Sequence, residues 1–191
     1  MSDLESVFCR TPPWRWFARR FVVPRVARGT IGPRVLEIGC GSGAMAAEVL
    51  RAHPEVIRYI ATDIDPAMVR LAQRQLREFG DRAEAREVDA SGLPFEAATF
   101  DTVCSWLMLH HTIEWEQVLA DAARVLKPGG RLVGYDLPDT RLGRYVHVLT
   151  RSKVRMIKPD DLTRHLRTLG LSEVEVEPVG VAGAFRFSAV R

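Results

Sequence analysis

The sequence has no long apolar run and little cysteine. No stretch of about 18 apolar residues is present to span a bilayer, and the first ten residues, MSDLESVFCR, contain no apolar signal-peptide core. We therefore predict a cytoplasmic protein. Cys9, Cys40 and Cys104 are far apart and have neither CxxC nor zinc-ligand spacing, so neither a disulfide framework nor a metal site is predicted.

Lysine is scarce as well, although the chain is slightly basic. The 191 residues include 27 Lys and Arg against 24 Asp and Glu, for a net charge of +3, and only three of the basic residues are lysines. This excess is too small to identify a partner. Its distribution is uneven, because arginines dominate residues 1–30 and residues 140–159 hold six basic residues and no acidic one.

Short apolar runs alternate with amphipathic stretches along most of the chain. The predicted strands are 33–38, 56–63, 83–89, 100–106 and 131–136. The predicted helices are 42–52 with Ser42 as N-cap, 65–79, 114–126 and 159–169. This alternation favours a parallel sheet with right-handed crossovers. Two final runs, 171–179 and 184–190, have no helix between them and are predicted to pair antiparallel.

The length of the chain and the alternation of strands and helices predict one α/β domain over residues 1–191, with a Rossmann-like doubly wound fold. No linker or internal repeat divides the chain. Residues 1–30, rich in Trp, Phe and Arg, are predicted to form a helical arm that lies over the carboxyl edge of the sheet.

A glycine-rich loop, Gly39-Cys40-Gly41-Ser42-Gly43, joins the first predicted strand to the first helix. Such a loop lets backbone approach a ligand where side chains would block it. Asp63 ends the second strand, where a carboxylate can accept hydrogen bonds from ribose hydroxyls. Asp89 ends the third strand, within reach of an adenine amino group. Together these residues predict a site for a nucleoside-containing ligand.

A nicotinamide dinucleotide is one alternative, because Gly39-x-Gly41-x-x-Ala44 satisfies the dinucleotide fingerprint. Glu37 stands two places before the first glycine, where it would repel a pyrophosphate but suit a ligand with sulfonium and ammonium charges. The chain also lacks a second domain to hold a hydride acceptor. We therefore place this alternative second.

Four segments resemble, in order and spacing, the motifs of the class I S-adenosylmethionine (SAM)-dependent methyltransferases: VLEIGCGSG, ATDIDPAMV, VDASGLPF with FDTV, and VLKPGGRLV. The resemblance runs from Pro33 to Arg191. It implies a seven-stranded sheet of order 3-2-1-4-5-7-6 with strand 7 antiparallel, and SAM as cofactor. The SAM contacts that it implies are Glu37, Gly39, Cys40, Gly41, Gly43, Asp63, Ile64, Met68, Asp89, Ala90 and the backbone near Ser105.

The residues at and after the end of the fourth strand indicate the class of methyl acceptor. Methyltransferases of DNA amino groups carry (Asp/Asn)-Pro-Pro-(Tyr/Phe) there, whereas this chain has Cys104-Ser105-Trp106-Leu107, so DNA is not expected. The segment 107–111, LMLHH, resembles small-molecule methyltransferases akin to those of quinone and natural-product biosynthesis. The resemblance implies a phenol, an enolizable carbon or an amine as acceptor.

His110, His111 and Asp136 are the candidate catalytic residues. Both histidines come after the fourth strand and Asp136 ends the fifth, so all three should gather at the carboxyl edge of the sheet. A histidine oriented by an aspartate can act as a general base for the acceptor. Two adjacent histidines cannot both point into one pocket, and the sequence does not distinguish between them.

The two basic regions leave further alternatives open. They suit an anionic or membrane-lying acceptor, including a lipid headgroup. RNA would use the same charges, but we rank it lower because the length holds no added RNA-binding module. A non-catalytic SAM-binding protein is a third alternative. The oligomeric state is not predicted.

Overall fold

A central sheet of seven strands organises the computed structural model, which describes residues 31–138, 154–179 and 184–191. The predicted arm 1–30 and most of the basic stretch 140–159 lie outside the described residues. The strands are β1 Arg34–Ile38, β2 Arg58–Asp63, β3 Ala83–Glu87, β4 Phe100–Trp106, β5 Leu126–Asp136, β6 Ser172–Pro178 and β7 Phe185–Val190. The helices are α1 Ala44–Ala52, α2 Pro66–Leu76, α3 Trp115–Val125 and α4 Pro159–Thr168, with 3₁₀ turns at Arg77–Arg82 and Leu109–His111.

The strand order is β3-β2-β1-β4-β5-β7-β6. The pairs among β1 to β5 are parallel, and β7 is antiparallel to both β5 and β6. The predicted fold class, strand order and antiparallel final pair are therefore confirmed. In such a sheet the carboxyl ends of β1, β2, β4 and β5 meet at one edge, where ligands of doubly wound folds bind.

Two apolar layers cover the sheet, as continuous burial of parallel strands requires. Alternate residues of β1 show the division, because Val35 packs with α1 and α2 while Leu36 packs with α3 and α4. In α3 the apolar residues are buried, and Leu119 is 1% exposed. Truncating a leucine of this kind to alanine costs about 2–5 kcal/mol.

Several boundaries differ from the sequence prediction. Helix α1 begins at Ala44 with Gly43 as N-cap, not Ser42, and no side chain caps it. Gly43 has φ +78, and an added Cβ would lie 3.0 Å from the Cα of Ala72 in α2, so the close approach of the two helices decides this end. Helix α2 stops at Leu76 and continues as a 3₁₀ turn around Gly80.

Strand β5 is longer than predicted. It begins at Leu126, which pairs with Phe100, and an irregular register separates that pair from Thr102↔Arg131. The Lys-Pro-Gly-Gly segment therefore lies within a bulged strand instead of a connecting loop. Among the described residues, no helix has the length and apolar character needed to cross a membrane.

Candidate functional site

A cavity of about 500 Å³ opens at the carboxyl edge of the sheet. Its walls come from the segments that follow β1, β2, β3 and β4 and from the end of β5. The lining residues are Glu37, Gly39, Cys40, Gly41, Ser42, Ala44, Met45, Asp63, Ile64, Asp65, Met68, Val88, Asp89, Ala90, Ser91, Trp106, Leu107, Met108, His111, Thr112, Ile113, Glu114 and Tyr135.

The glycine loop forms the floor of the cavity with its backbone. Gly39 has φ +70, and an added Cβ would lie 2.0 Å from the Cγ of Met108. Gly41 has φ +53, but an added Cβ there would meet nothing within 4 Å. The loop therefore packs tightly at Gly39 and leaves open space at Gly41, so a ligand can approach the backbone at that point.

Asp63, at the end of β2, holds the loop in place and faces the cavity. Its Oδ2 accepts a hydrogen bond from the backbone N–H of Gly41 at 2.8 Å, and its Oδ1 accepts one from Asp65 at 2.9 Å. Burial raises the pKa of the Asp63 carboxyl, and these two N–H groups partly offset that rise. Each oxygen keeps a further acceptor site, which suits two neighbouring hydroxyl donors.

Asp89, after β3, also lines the cavity and is exposed. Its Oδ1 accepts hydrogen bonds from the N–H of Ser91 at 2.9 Å and from the Ser91 hydroxyl at 2.7 Å. These bonds favour the charged form and lower the pKa of Asp89. The oriented carboxylate is a suitable acceptor for an amino group.

Glu37 is the most deeply buried acid on the cavity wall, at 1% exposure. Its Oε2 accepts a hydrogen bond of 2.8 Å from the hydroxyl of Tyr59. Burial raises the pKa of Glu37 to about 8, against the lowering effect of the Tyr59 bond, and nearby Asp63 raises it further. Without a ligand Glu37 therefore holds its proton at neutral pH, and a cationic ligand group beside it would favour its charged form.

Two exposed isoleucines also line the cavity. Ile64 is 65% exposed and Ile113 is 54% exposed, and they stand on opposite walls, after β2 and before α3. A bound apolar or aromatic group would remove both from water, at about 25 cal/mol per Å² buried. Met68, from the first turns of α2, supplies a third apolar side chain beside Ile64.

The structure separates the two candidate histidines. His110 is 2% exposed and does not line the cavity, and its Nδ1 makes a short hydrogen bond to Oδ1 of the fully buried Asp136. Asp136 Oδ2 also accepts from the His110 backbone N–H at 3.3 Å. His111 does line the cavity, and its ring centroid lies 4.1 Å from that of His110. The aspartate thus contacts the histidine that faces away from the cavity.

The remaining predicted contacts fall around the cavity with two exceptions. Gly43 and Ser105 are the predicted cofactor residues that do not line it. Ser105 lies on β4 between Cys104 and Trp106, whose side chains pack on the opposite face of the sheet. Strand alternation therefore directs the Trp106 side chain, and not that of Ser105, to the cavity.

Sequence reasoning missed Trp106 and Tyr135, which form an aromatic wall at the ends of β4 and β5. Their ring centroids are 6.0 Å apart and their planes tilt by 35°. The period-2 rule could have found Trp106 from its spacing to Cys104, but the apolar run of β4 hides which face each residue takes. The adjacent Leu107 has φ +55, a conformation rare for a side chain of this kind.

Acidic side chains dominate the charge of the cavity. Among the described residues, its ionisable lining comprises five acids and His111, together with Cys40 and Tyr135, and includes no lysine or arginine. The arginines that motivated an anionic acceptor lie in residues 1–30 and 140–153, outside the described residues, apart from Arg155. The described wall favours a ligand with positive charge.

Comparisons with known proteins identify the family of this domain. Residues 35–130 match the model of a methyltransferase domain, which is about half of the chain. The 27-O-demethylrifamycin SV methyltransferase of Amycolatopsis mediterranei (strain S699) is 31% identical over 78% of this chain and 57% of its own length. The demethylmenaquinone methyltransferase of Clavibacter sepedonicus is 33% identical over 63% of this chain and 45% of its own.

Among solved structures, the trans-methyltransferase CalH in complex with SAH (S-adenosylhomocysteine) is 26% identical, with a TM-score of 0.69, over 84% of this chain and 52% of that one. The chain spans about half the length of the curated relatives it matches. The matched domain includes the glycine loop, Asp63, Asp89 and the histidines. The chain therefore belongs to the SAM-dependent methyltransferase family, as its motifs predicted.

Proposed function

We propose that this chain transfers the methyl group of SAM to a small-molecule acceptor, a phenol, an enolizable carbon or an amine. One observation carries the proposal. The same cavity is lined by the glycine loop, Asp63 and Asp89 and also by His111 and the aromatic wall. Cofactor-binding residues and a proton acceptor thus border the same space.

The residues after β1, β2 and β3 would hold SAM. The open backbone at Gly41 fits the methionine part, and Glu37 would pair with its ammonium group. Asp63 would accept hydrogen bonds from the ribose hydroxyls, and Asp89 from the adenine amino group, with Ile64 and Met68 against the adenine ring. When bound, SAM supplies an electrophilic methyl group on a positively charged sulfur.

The acceptor would lie between the aromatic wall and the histidine. Trp106 and Tyr135 offer flat apolar surfaces at the ends of β4 and β5, and Ile113 and Met108 add apolar contacts. This lining suits a planar ring better than a charged group. An anionic or membrane-lying acceptor, or a lipid headgroup, stays a prediction that rests on arginines outside the described residues.

His111 would act as the general base. A neutral imidazole nitrogen takes the proton of the acceptor hydroxyl, amine or activated carbon as that atom forms its bond to the methyl group. The carbon–sulfur bond breaks with its electron pair kept on sulfur. His110 and Asp136 do not touch the acceptor in this scheme, and they hold the turn that carries His111. Alignment of the two reactants supplies most of the remaining rate enhancement.

Calorimetric titration with SAM and, separately, with NADH is the test to make first. Micromolar SAM binding with no NADH signal supports the proposal. An acceptor screen of phenols, quinone precursors, amines, anionic lipids and RNA would come next, with S-adenosylhomocysteine release as readout. Binding of NADH and not SAM would overturn the cofactor assignment. Normal SAM binding with no turnover on any acceptor would favour the non-catalytic alternative.

A further inference from the structure

The segment that carries His111 forms one wall of the cavity, and we call residues 107–114 the histidine wall. Its inner end is attached to β5, because the N–H of Leu107 donates to the carbonyl of Tyr135 at 2.9 Å and the N–H of His110 donates to Asp136. Its outer end leads into α3 through Ile113, which is more than half exposed. Exposed connections of this kind move readily unless they are tied down.

Arg155 ties the outer end at three points. Its backbone N–H donates to the carbonyl of His110 at 2.8 Å. Its guanidinium donates to the carbonyl of Ile113 at 2.7 Å and makes two bonds of 2.6 Å to the carboxylate of Glu116 in α3. One side chain thus joins the histidine wall to the first turn of α3.

The surroundings of Arg155 reinforce this geometry. The guanidinium carbon lies 5.5 Å from the ring centroid of Trp115, a cation–π arrangement. His165 of α4 packs edge-on against the same ring at 5.4 Å, and its Nε2 lies 3.0 Å from the carbonyl of Glu116. Arg155 therefore rests on a rigid corner formed by α3 and α4.

We infer that Arg155 is a positioning residue, which holds the histidine wall so that His111 faces the acceptor. The inference rests on the proposed function for the role of His111, but the placement of the wall does not depend on it. The planar guanidinium bonds Ile113 and both carboxylate oxygens of Glu116 at once through donors held in a fixed geometry. A lysine at this position keeps the positive charge but loses the planar set of donors.

A second clamp on α3 provides a contrast on the adenine side. Arg124 donates to the carbonyls of Phe95 and Leu93 at 2.7 and 2.9 Å, and Asp121 accepts from the N–H of Leu93 at 2.7 Å. These bonds hold the loop that comes after Asp89, and none of them reaches the histidine wall. A substitution of Arg124 should change SAM affinity, whereas a substitution of Arg155 should not.

The test compares Arg155→Lys with Arg164→Lys. Arg164 lies on α4 in an exposed pair with Asp161 at 2.9 Å, so the same change is made where the side chain does not bond to the histidine wall. We expect Arg155→Lys to shift and broaden the Hε1 resonance of His111, assigned with His111→Gln, in the ligand-free protein. SAM affinity by calorimetry should stay within about twofold of wild type, and kcat on an acceptor from the screen should fall about 10- to 100-fold. Arg164→Lys should change none of these.

A His111 resonance unchanged by Arg155→Lys, or a loss of SAM affinity as large as that caused by Arg124→Lys, would overturn the inference. If Arg155→Lys fails to fold, Glu116→Gln is the milder variant. It removes the charge of Glu116 and one of the two oxygens that accept from Arg155, and it must shift the same resonance. Failure of wild-type SAM binding would refute the proposed function instead, and the resonance would still decide the role of Arg155.

Discussion

The imidazole rings of His110 and His111 lie with centroids 4.1 Å apart and planes tilted by 41°, yet of the two only His111 lines the cavity. His110 instead hydrogen bonds to Asp136, and both are almost fully buried. The two adjacent histidines therefore have different roles. One side chain faces the ligand space, and the other fixes the turn from beneath.

Replacing each histidine should therefore have a different effect. We expect His111→Gln to lower kcat by about 10²- to 10⁴-fold, the range of a lost general base, with SAM affinity and unfolding free energy nearly unchanged. His110→Ala should lower the free energy of unfolding by about 1–3 kcal/mol, because the buried Asp136 loses its side-chain partner and keeps the backbone N–H groups of His110 and Leu137. Steady-state kinetics and urea unfolding measure the two effects. Full activity in His111→Gln would exclude His111 as the base.

Asp63→Asn should weaken SAM binding by about 1–3 kcal/mol, because charge-assisted bonds to the ribose hydroxyls are lost. Asparagine has a single carbonyl oxygen, which cannot replace both carboxylate oxygens that accept from the N–H groups of Gly41 and Asp65, so the loop loses one anchor. Calorimetry gives the affinity. Asp81→Asn is the control, since Asp81 is exposed and outside the cavity. Equal SAM affinity in wild type and Asp63→Asn would remove Asp63 from the site.

Gly41→Ala and Gly170→Ala form a matched pair. Both glycines have positive φ, +53 and +77, and an added Cβ at either meets nothing within 4 Å. Each substitution should destabilise the fold by about 1–2 kcal/mol through backbone strain. Only Gly41→Ala should also weaken SAM binding, because its methyl group enters the cavity. Similar SAM affinities in the two variants would contradict the assignment of the loop.

Glu37 should make stability depend on pH. Burial raises its pKa from 4.5 to about 8 in the folded state, so between these values the folded chain holds a proton that the unfolded chain has lost. Stability from this group is therefore fully present below about pH 4.5 and falls as the pH rises towards 8, by up to about 1.4 kcal/mol per pH unit.

Glu37→Gln removes this titration and keeps an oxygen for the Tyr59 hydroxyl. We expect a flatter profile of unfolding free energy between pH 5 and 8 than in wild type, measured by urea unfolding. Asp63, whose pKa is also raised, contributes in the same direction, so some slope should persist. Parallel profiles in the two proteins would contradict the assignment of the raised pKa to Glu37.

Much of the fold could be predicted from the sequence because it depends on local signals. The alternation of apolar runs and amphipathic stretches predicted the strands and helices, and Asp65-Pro66 correctly marked the start of α2, where the Asp65 side chain accepts from Ala67 at 2.7 Å. The strand order and the cofactor came from the motif resemblance. Helix ends and the bulge of β5 were missed, since contacts between distant residues such as Gly43 and Ala72 decide them.

The sequence by itself determined that a glycine loop, two aspartates and two histidines meet at one edge of a parallel sheet, because chain order and right-handed crossovers leave little choice there. Only the tertiary structure decided which side chains face the cavity. Trp106 lines the cavity instead of Ser105 because strand faces alternate, His111 lines it whereas His110 is held by Asp136, and Arg155 reaches Glu116 across 39 residues. Such choices depend on side-chain direction and long-range packing, which no local pattern encodes.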